Sequence, residues 1–296
     1  MNSMMPLLTS VVVAQTPINA ADTIAPSIPP LTRADEVIWW AGVVVVAVMV
    51  AVWLVRSRRD PLAQAPPRPN RLQPEHVIAL MIAFFVCVVL LQAAAGLVAT
   101  DGGLKLTAGN LAQMLGGIAC LVMGARLFDG GLGRFVLGRG GVAGRIAEGV
   151  VLAVAALTVC GVVYTTSEWV IHLVAPTRIL PEHSVIDALR TGAEPAWPLW
   201  LGAALVAPVA EELFFRGLAQ TLIRKLTNRP WFAVVLTAVA FGLAHAQQPQ
   251  VIPTIAALGV ILGVSYERSG SLVAPITVHV LFNSKTLIWE ALGAAG

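Results

Sequence analysis

The chain has 296 residues, 57% of them hydrophobic and only 12% charged, with a mean hydropathy of +0.80. An average soluble domain carries roughly 25% charged residues, so the composition excludes an ordinary soluble globule and specifies a membrane protein. The formal net charge of +3 is small and the arginines are spread beside apolar runs, which excludes a concentrated nucleic-acid footprint and makes them topology markers.

Residues 1–36 read as a lead-in. Pro6–Ala14 is weakly apolar with no basic residue before it, which does not favour a cleaved secretory signal, and Pro26, Pro29 and Pro30 favour extended backbone. The first span is expected at Ile38–Val55, with Trp39 and Trp40 at one interface and Arg56, Arg58 and Arg59 at the other; the basic end is cytosolic and the N-terminus outside. Asp60–Pro74, with five prolines, Arg68 and Arg71, reads as an irregular cytosolic linker.

Val77–Ala99 is the second span, Thr100–Lys105 a polar turn and Ala108–Ala125 the third span. Gly116, Gly117, Ala119 and Gly124 let a neighbouring helix approach closely, because membrane helices associate through packing. Arg126–Arg145 is rich in glycine but has no phosphate-loop lysine or preceding strand, so it reads as a flexible cytosolic turn. Ile146–Ala175 holds the fourth span, with Glu148 and the pair Glu168 and His172 near its ends, and Pro176–Pro195 is an external surface loop. Cys87, Cys120 and Cys160 fall one per apolar run and read as small buried hydrophobes.

Four more runs follow: Trp197–Leu218, Trp231–His245, Ile252–Tyr266 and Leu272–Trp289, with Arg224, Lys225 and Arg229 marking cytosol and Glu267, Arg268 and Gly270 a return turn. Gly242, Gly259 and Gly263 offer further close contacts. The expected fold is all-α, a polytopic bundle of about eight transmembrane helices with a polar site among the late ones. Residues 37–175 supply four spans, 176–196 an external loop and 197–290 the catalytic core.

That site is carried by Ala207–Arg216, where Glu211, Glu212 and Arg216 sit in an apolar run and each uncompensated charge costs several kcal/mol. Glu212 and Arg216, four apart, share a helix face while Glu211 points about 100° away, so one acid can pair with Arg216 and the other face a cavity. Spacing does not say which acid takes which role. Pro208 removes a backbone donor just before the acids and kinks the helix there. His279 and Asn283 also share a face, and His245 lies one turn beyond Phe241. Counted from the cytosolic boundaries, Glu211 and His279 lie at roughly 10 Å depth and His245 nearer 20 Å, so convergence requires tilt, a later start to the sixth helix or a shared aqueous cavity.

A glutamate can take the proton from water, histidine can orient the water or pass a proton to the amine, and a second histidine with an asparagine can donate to an oxyanion. These residue types favour a peptidase. A zinc-dependent version, with His245, His279 and one glutamate as ligands, is an alternative, although no His-Glu-x-x-His motif is present. A proton-coupled carrier and a noncatalytic scaffold are the other classes, the first lacking a clear inverted pair of interrupted helices.

The order Glu211-Glu212-x-x-x-Arg216, Phe241-x-x-x-His245 and His279-x-x-x-Asn283 on successive late helices resembles the CAAX-type protease and bacteriocin-processing family of intramembrane endopeptidases. The resemblance covers about Trp197–Trp289. It implies that Glu211 activates water with His245, that Glu212 and Arg216 support them, and that His279 and Asn283 bind the oxyanion, with no cofactor favoured. It further implies a multi-pass protein of the bacterial inner membrane whose partners are membrane lipids and a peptide or membrane-protein substrate. Bacteriocin immunity is a further role linked to such proteins.

Overall fold

A computed structural model describes residues 33–56, 60, 62–63, 65, 68–98, 102–138, 140–175 and 196–293. The expected lead-in, apart from the start of the first helix, and the external loop 176–195 lie outside them. The described chain is all-α. In chain order the helices are α1 (Arg33–Arg56), α2 (Pro74–Val98), α3 (Gly102–Leu127), α4 (Val142–Val174), α5, α6 (Pro230–Leu243), α7 (Ile252–Ser269) and α8 (Val273–Gly293). Helix α5 is composite: Ala196–Leu201, Ala207–Glu212 and Thr221–Thr227 are α-helical, with π-helical stretches at Gly202–Val206 and Leu213–Gln220 between them.

Five stretches are long and apolar enough to cross a bilayer: Pro74–Leu97, Thr107–Leu127, Gly133–Ile171, Trp197–Thr227 and Pro249–Ser269. Three more are apolar but shorter, Trp39–Met49, Pro230–Leu243 and Val273–Ile288. The expectation of about eight full spans is thereby reduced to five that qualify by length and composition among the described residues, within the architecture of a multi-pass membrane protein. Helix α2 shows why lipid is its solvent: Ile82, Phe85 and Leu90 point outward and Leu97 is 90% exposed, an apolar surface that water would not tolerate.

Helix ends follow from backbone chemistry. Asn228 adopts φ 54° and its N–H bonds to Arg224 O, ending α5, and Pro230 opens α6 where its missing donor costs nothing. The close contacts expected from small residues are present. A Cβ on Gly259 would meet the Ala238 backbone at 2.9 Å, so glycine sets the approach of α7 to α6. Two of the three cysteines, Cys120 and Cys160, are buried as expected; Cys87 is half-buried.

The stretch after α3 departs from the expected flexible turn. Gly130, Gly131, Gly138 and Gly140 take positive φ, and Gly133–Leu137 forms a π-helical turn. Phe135, buried, drops into a notch where Gly124 of α3 and Gly217 of α5 both lack a side chain. Val136 O accepts the backbone N–H of Leu272 at 2.8 Å. The glycines therefore shape a packed insertion that the composition alone presents as loose. The linker before α2 is irregular as expected but is also packed, with Leu62 and Leu72 buried.

Phe135→Ala empties the notch beside Gly217, and a destabilisation of about 3–5 kcal/mol is expected. Unfolding of the purified chain in detergent checks it; unchanged stability would mean that the insertion does not support α5.

Candidate active site

The site begins with a disturbance of α5. Ala207 N–H bonds back five residues to Gly202 O, in the π register. The next bond in that register would run from residue 208 to Ala203 O, and Pro208 has no N–H to give. Asn283 of α8 supplies the missing donor, its Nδ2 reaching Ala203 O at 2.9 Å. The expected kink at Pro208 is thus realised as a π-helical segment just ahead of the acids, a distortion frequent at functional sites.

The two acids separate as soon as the helix is placed. Glu212 is fully buried, and its Oε1 accepts from Arg216 Nη1 at 2.9 Å and from His279 Nδ1 at 2.9 Å. Glu211 keeps 19% of its side chain exposed, and its Oε2 lies 3.7 Å from His279 Nε2. The pairing left open by spacing is given by the geometry: Glu212 holds Arg216, and Glu211 is the carboxylate left partly exposed. His279, 3% exposed, bridges the two through its two ring nitrogens.

Arg216 is fully buried. Besides Glu212 it donates through Nη2 to Gly259 O at 3.3 Å, and its guanidinium lies 4.5 Å from the Phe241 ring centroid. A buried cation is tolerated when a carboxylate, a carbonyl and an aromatic face all point at it. Phe241 is the hub of the aromatic packing, meeting Phe215, His245 and His279 edge to face with centroids 5.0, 5.3 and 5.5 Å away.

His245 lies in the turn after α6, its ring tied to Phe241 O through Nδ1 at 2.9 Å. A carbonyl only accepts, so Nδ1 carries the hydrogen and Nε2 is the free nitrogen of the neutral ring. The depth mismatch read from the sequence is bridged by Phe241, whose ring meets both histidines. Glu211, Glu212, Arg216 and His279 are in mutual contact or share a partner, His245 joins through Phe241, and Asn283 is attached to the preceding segment of α5.

The zinc arrangement does not fit as placed. Nδ1 of each histidine bonds a protein acceptor and leaves Nε2 for a ligand, as zinc-binding histidines do, but among the described residues no group of three or more His, Cys, Asp or Glu side chains is arranged to hold a metal ion. No step below is routed through a metal.

Sequence reasoning missed the lower half of this polar stripe. Gln220, fully buried, donates from Nε2 to Gly263 O at 3.0 Å and Glu267 Oε1 at 2.9 Å. Glu267, expected in a return turn, is only 1% exposed. The signal was the repeat of polar residues every four positions, Glu212, Arg216, Gln220 and Arg224, facing Gly259, Gly263 and Glu267 at the same spacing. Positions four apart drift by about 40° per step in a straight α-helix. The wider π turns rotate less per residue, and alternation of the two keeps the stripe on one face.

A buried carboxylate–arginine–histidine group on packed apolar helices defines a membrane protein with a polar site in its late helices. Residues 193–284, roughly a third of the chain, match the family described as "Rce1-like: Type II CAAX prenyl endopeptidase Rce1-like", so this part is a CAAX protease-like domain. Comparisons with curated proteins and with solved structures found no match.

Glu212→Ala strands Arg216 without its carboxylate and is expected to cost about 3–5 kcal/mol of stability, whereas Glu211→Ala, at a half-buried acid, should cost far less. Equal losses in detergent unfolding would contradict the division of labour. Asn283→Ala leaves Ala203 O unpaired, at about 1–3 kcal/mol. Adding Pro208→Ala restores an N–H in the same register and should recover part of that loss; a further decline instead would refute the pairing.

Proposed function

We propose that the chain is an intramembrane endopeptidase that hydrolyses peptide bonds of membrane-associated or lipid-modified peptides, using a water activated by Glu211. The observation that carries the reading is the contact of Glu211 with His279, backed by a second, fully buried carboxylate that fixes the imidazole. An ion pair built only for packing would need one acid and Arg216. Here a second acid and a histidine are added, and the added acid is left partly exposed and outside the ion pair.

The chemistry follows from the atoms available. Glu211 accepts a proton from water as the oxygen attacks the peptide carbonyl, a general-base step. His279 is held by Glu212 at Nδ1, so its Nε2 is aimed consistently toward Glu211. In its doubly protonated form, flanked by two carboxylates, the ring presents an Nε2–H that can donate to the oxyanion. In its neutral form it presents a lone pair instead. The proton held by Glu211 then returns to the departing amine, with the Nε2 of His245 as the second group able to relay it. Asn283 has one amide hydrogen on Ala203 O and a second to offer an oxyanion.

The match to a CAAX prenyl endopeptidase family supports the peptidase class and points to lipid-modified or membrane-borne substrates. Glu211→Gln preserves size and removes the base, and is expected to lower kcat at least about 100-fold on a quenched membrane-peptide library. Retained turnover in that variant would overturn the assignment. Loss of wild-type turnover on chelation, restored by zinc, would replace the metal-free mechanism. Stable crosslinking to one partner, with no hydrolysis and no dependence on Glu211 or His245, would favour a scaffold, and pH-driven flux without hydrolysis a carrier.

A further inference from the structure

The segment Arg68–Gln73 lies between α1 and α2, far outside residues 193–284, yet it is tied to the core by backbone and side chain alike. Arg71 N–H donates to Leu127 O at 2.7 Å and Asp129 N–H to Pro69 O at 3.2 Å. Lys225, at the end of α5, donates Nζ to Asn70 O at 3.2 Å and to Leu72 O at 2.7 Å. A free linker would leave these groups to water.

Arg68 is the member of this segment that reaches inward. Its side chain is 12% exposed, its guanidinium stacks 3.6 Å from the Tyr266 ring centroid, and Nη2 donates to Tyr266 O. Nη1 lies 3.8 Å from Glu267 Oε1. From there two hydrogen-bonded routes lead to α5. Through Glu267 the first reaches Gln220, which also holds Gly263 O and accepts from Thr237 Oγ1 at 3.3 Å. Through the Tyr266 hydroxyl the second reaches Thr221 Oγ1 at 2.9 Å, and Thr221 donates to Arg216 O at 3.2 Å. Both end on the π-helical stretch Leu213–Gln220 or its border, the piece of backbone that sets the direction of Arg216 and hence of Glu212.

We infer that Arg68 is a positioning residue for the active site: the strap between α1 and α2 fixes the π-helical register of α5 through Glu267 and Tyr266, and so holds Glu212 and His279 in line with Glu211. The inference rests on the peptidase reading for its catalytic consequence. The charge on Arg68 is the right kind for its place. It lies at the C-terminal end of α7, where a cation complements the unpaired carbonyls, and Glu267 is otherwise faced by Arg224 at 3.9 Å and by Gln220. The other charged groups near the cluster, Arg268 and Lys225, are exposed or turned to the strap backbone. The CAAX protease-like domain is then incomplete without a segment that precedes it by more than a hundred residues.

The test uses the purified full chain in detergent micelles, with Arg68→Gln, Arg68→Lys and Glu267→Gln. A displaced active-site backbone lowers kcat and leaves KM nearly unchanged, and for Arg68→Gln a fall of about ten- to a hundredfold is expected. Arg68→Lys keeps the cation facing Glu267 but loses the stack on Tyr266, and should recover only part of it. The imidazole resonance of His279, assigned by its loss in His279→Gln, reports the geometry without any turnover. It should move in Arg68→Gln and Glu267→Gln and move less in Arg68→Lys. Unchanged kcat with an unmoved resonance in Arg68→Gln overturns the inference. If Arg68→Gln does not fold, Glu267→Gln decides from the other side of the same contact, and an unmoved resonance there also overturns it. A wild-type chain that cleaves nothing while the resonance moves as expected sinks the peptidase reading and leaves the positioning role standing.

Discussion

Glu212 and Arg216 face each other four residues apart with both side chains fully buried, and such a pair needs further polar partners in an apolar interior, which it has at every polar atom except Glu212 Oε2 and Arg216 Nε. That requirement reaches outward through the core. Arg216 takes the Gly259 carbonyl and the face of Phe241, which fixes how α7 and α6 lie against α5. Glu212 takes the Nδ1 hydrogen of His279, which fixes the rotation of α8. Three helices are thereby positioned by one buried ion pair, and Glu211, adjacent in sequence but turned away from it, is left partly exposed.

The helix carrying the pair is irregular for reasons that can be named. Pro208 leaves Ala203 O without its helical donor, Asn283 fills the gap, and a second π-helical stretch follows the acids. Between them the two distortions keep Glu212, Arg216, Gln220 and Arg224 in register with α7, which a straight helix would lose by drift. The π-helical stretches are held from more than one side. Phe135 provides support at Gly217, and the Arg68 strap provides it at the border with Thr221. Both supports come from the part of the chain that precedes the CAAX protease-like domain, so the N-terminal half contributes more than membrane anchorage.

The α2 helix marks the contrast. Its outward side chains are apolar and largely unpacked, a surface suited to lipid, while α7 is packed on most sides and threaded by backbone acceptors for the polar stripe. The protein thus combines a lipid-facing periphery with a dense polar interior built from the late helices. Two buried glycines lie within that interior: Gly259 and Gly263 let α7 approach α6 and α5 closely enough for Arg216 and Gln220 to reach its carbonyls.

By itself the sequence determined the solvent, the helical class and the polar residues of the late helices, because hydropathy and four-residue spacing are local properties that survive without knowledge of packing. It also determined that Glu212 and Arg216 share a face. Which acid would pair with Arg216, how His245 would be linked to His279, and that Asn283 would serve Ala203 depended on contacts between helices distant in sequence. Of the eight or so expected spans, five stretches are long and apolar enough to cross a bilayer among the described residues. Glu267 and the stretches Arg68–Gln73 and Gly133–Leu137 were read as turn, linker and loop, since glycine, proline and charge look alike in a solvated turn and in a packed insertion. Only the tertiary structure decided between those, by supplying the buried partners, Gln220, Tyr266 and Gly217, that make a charge or an aromatic ring stable there.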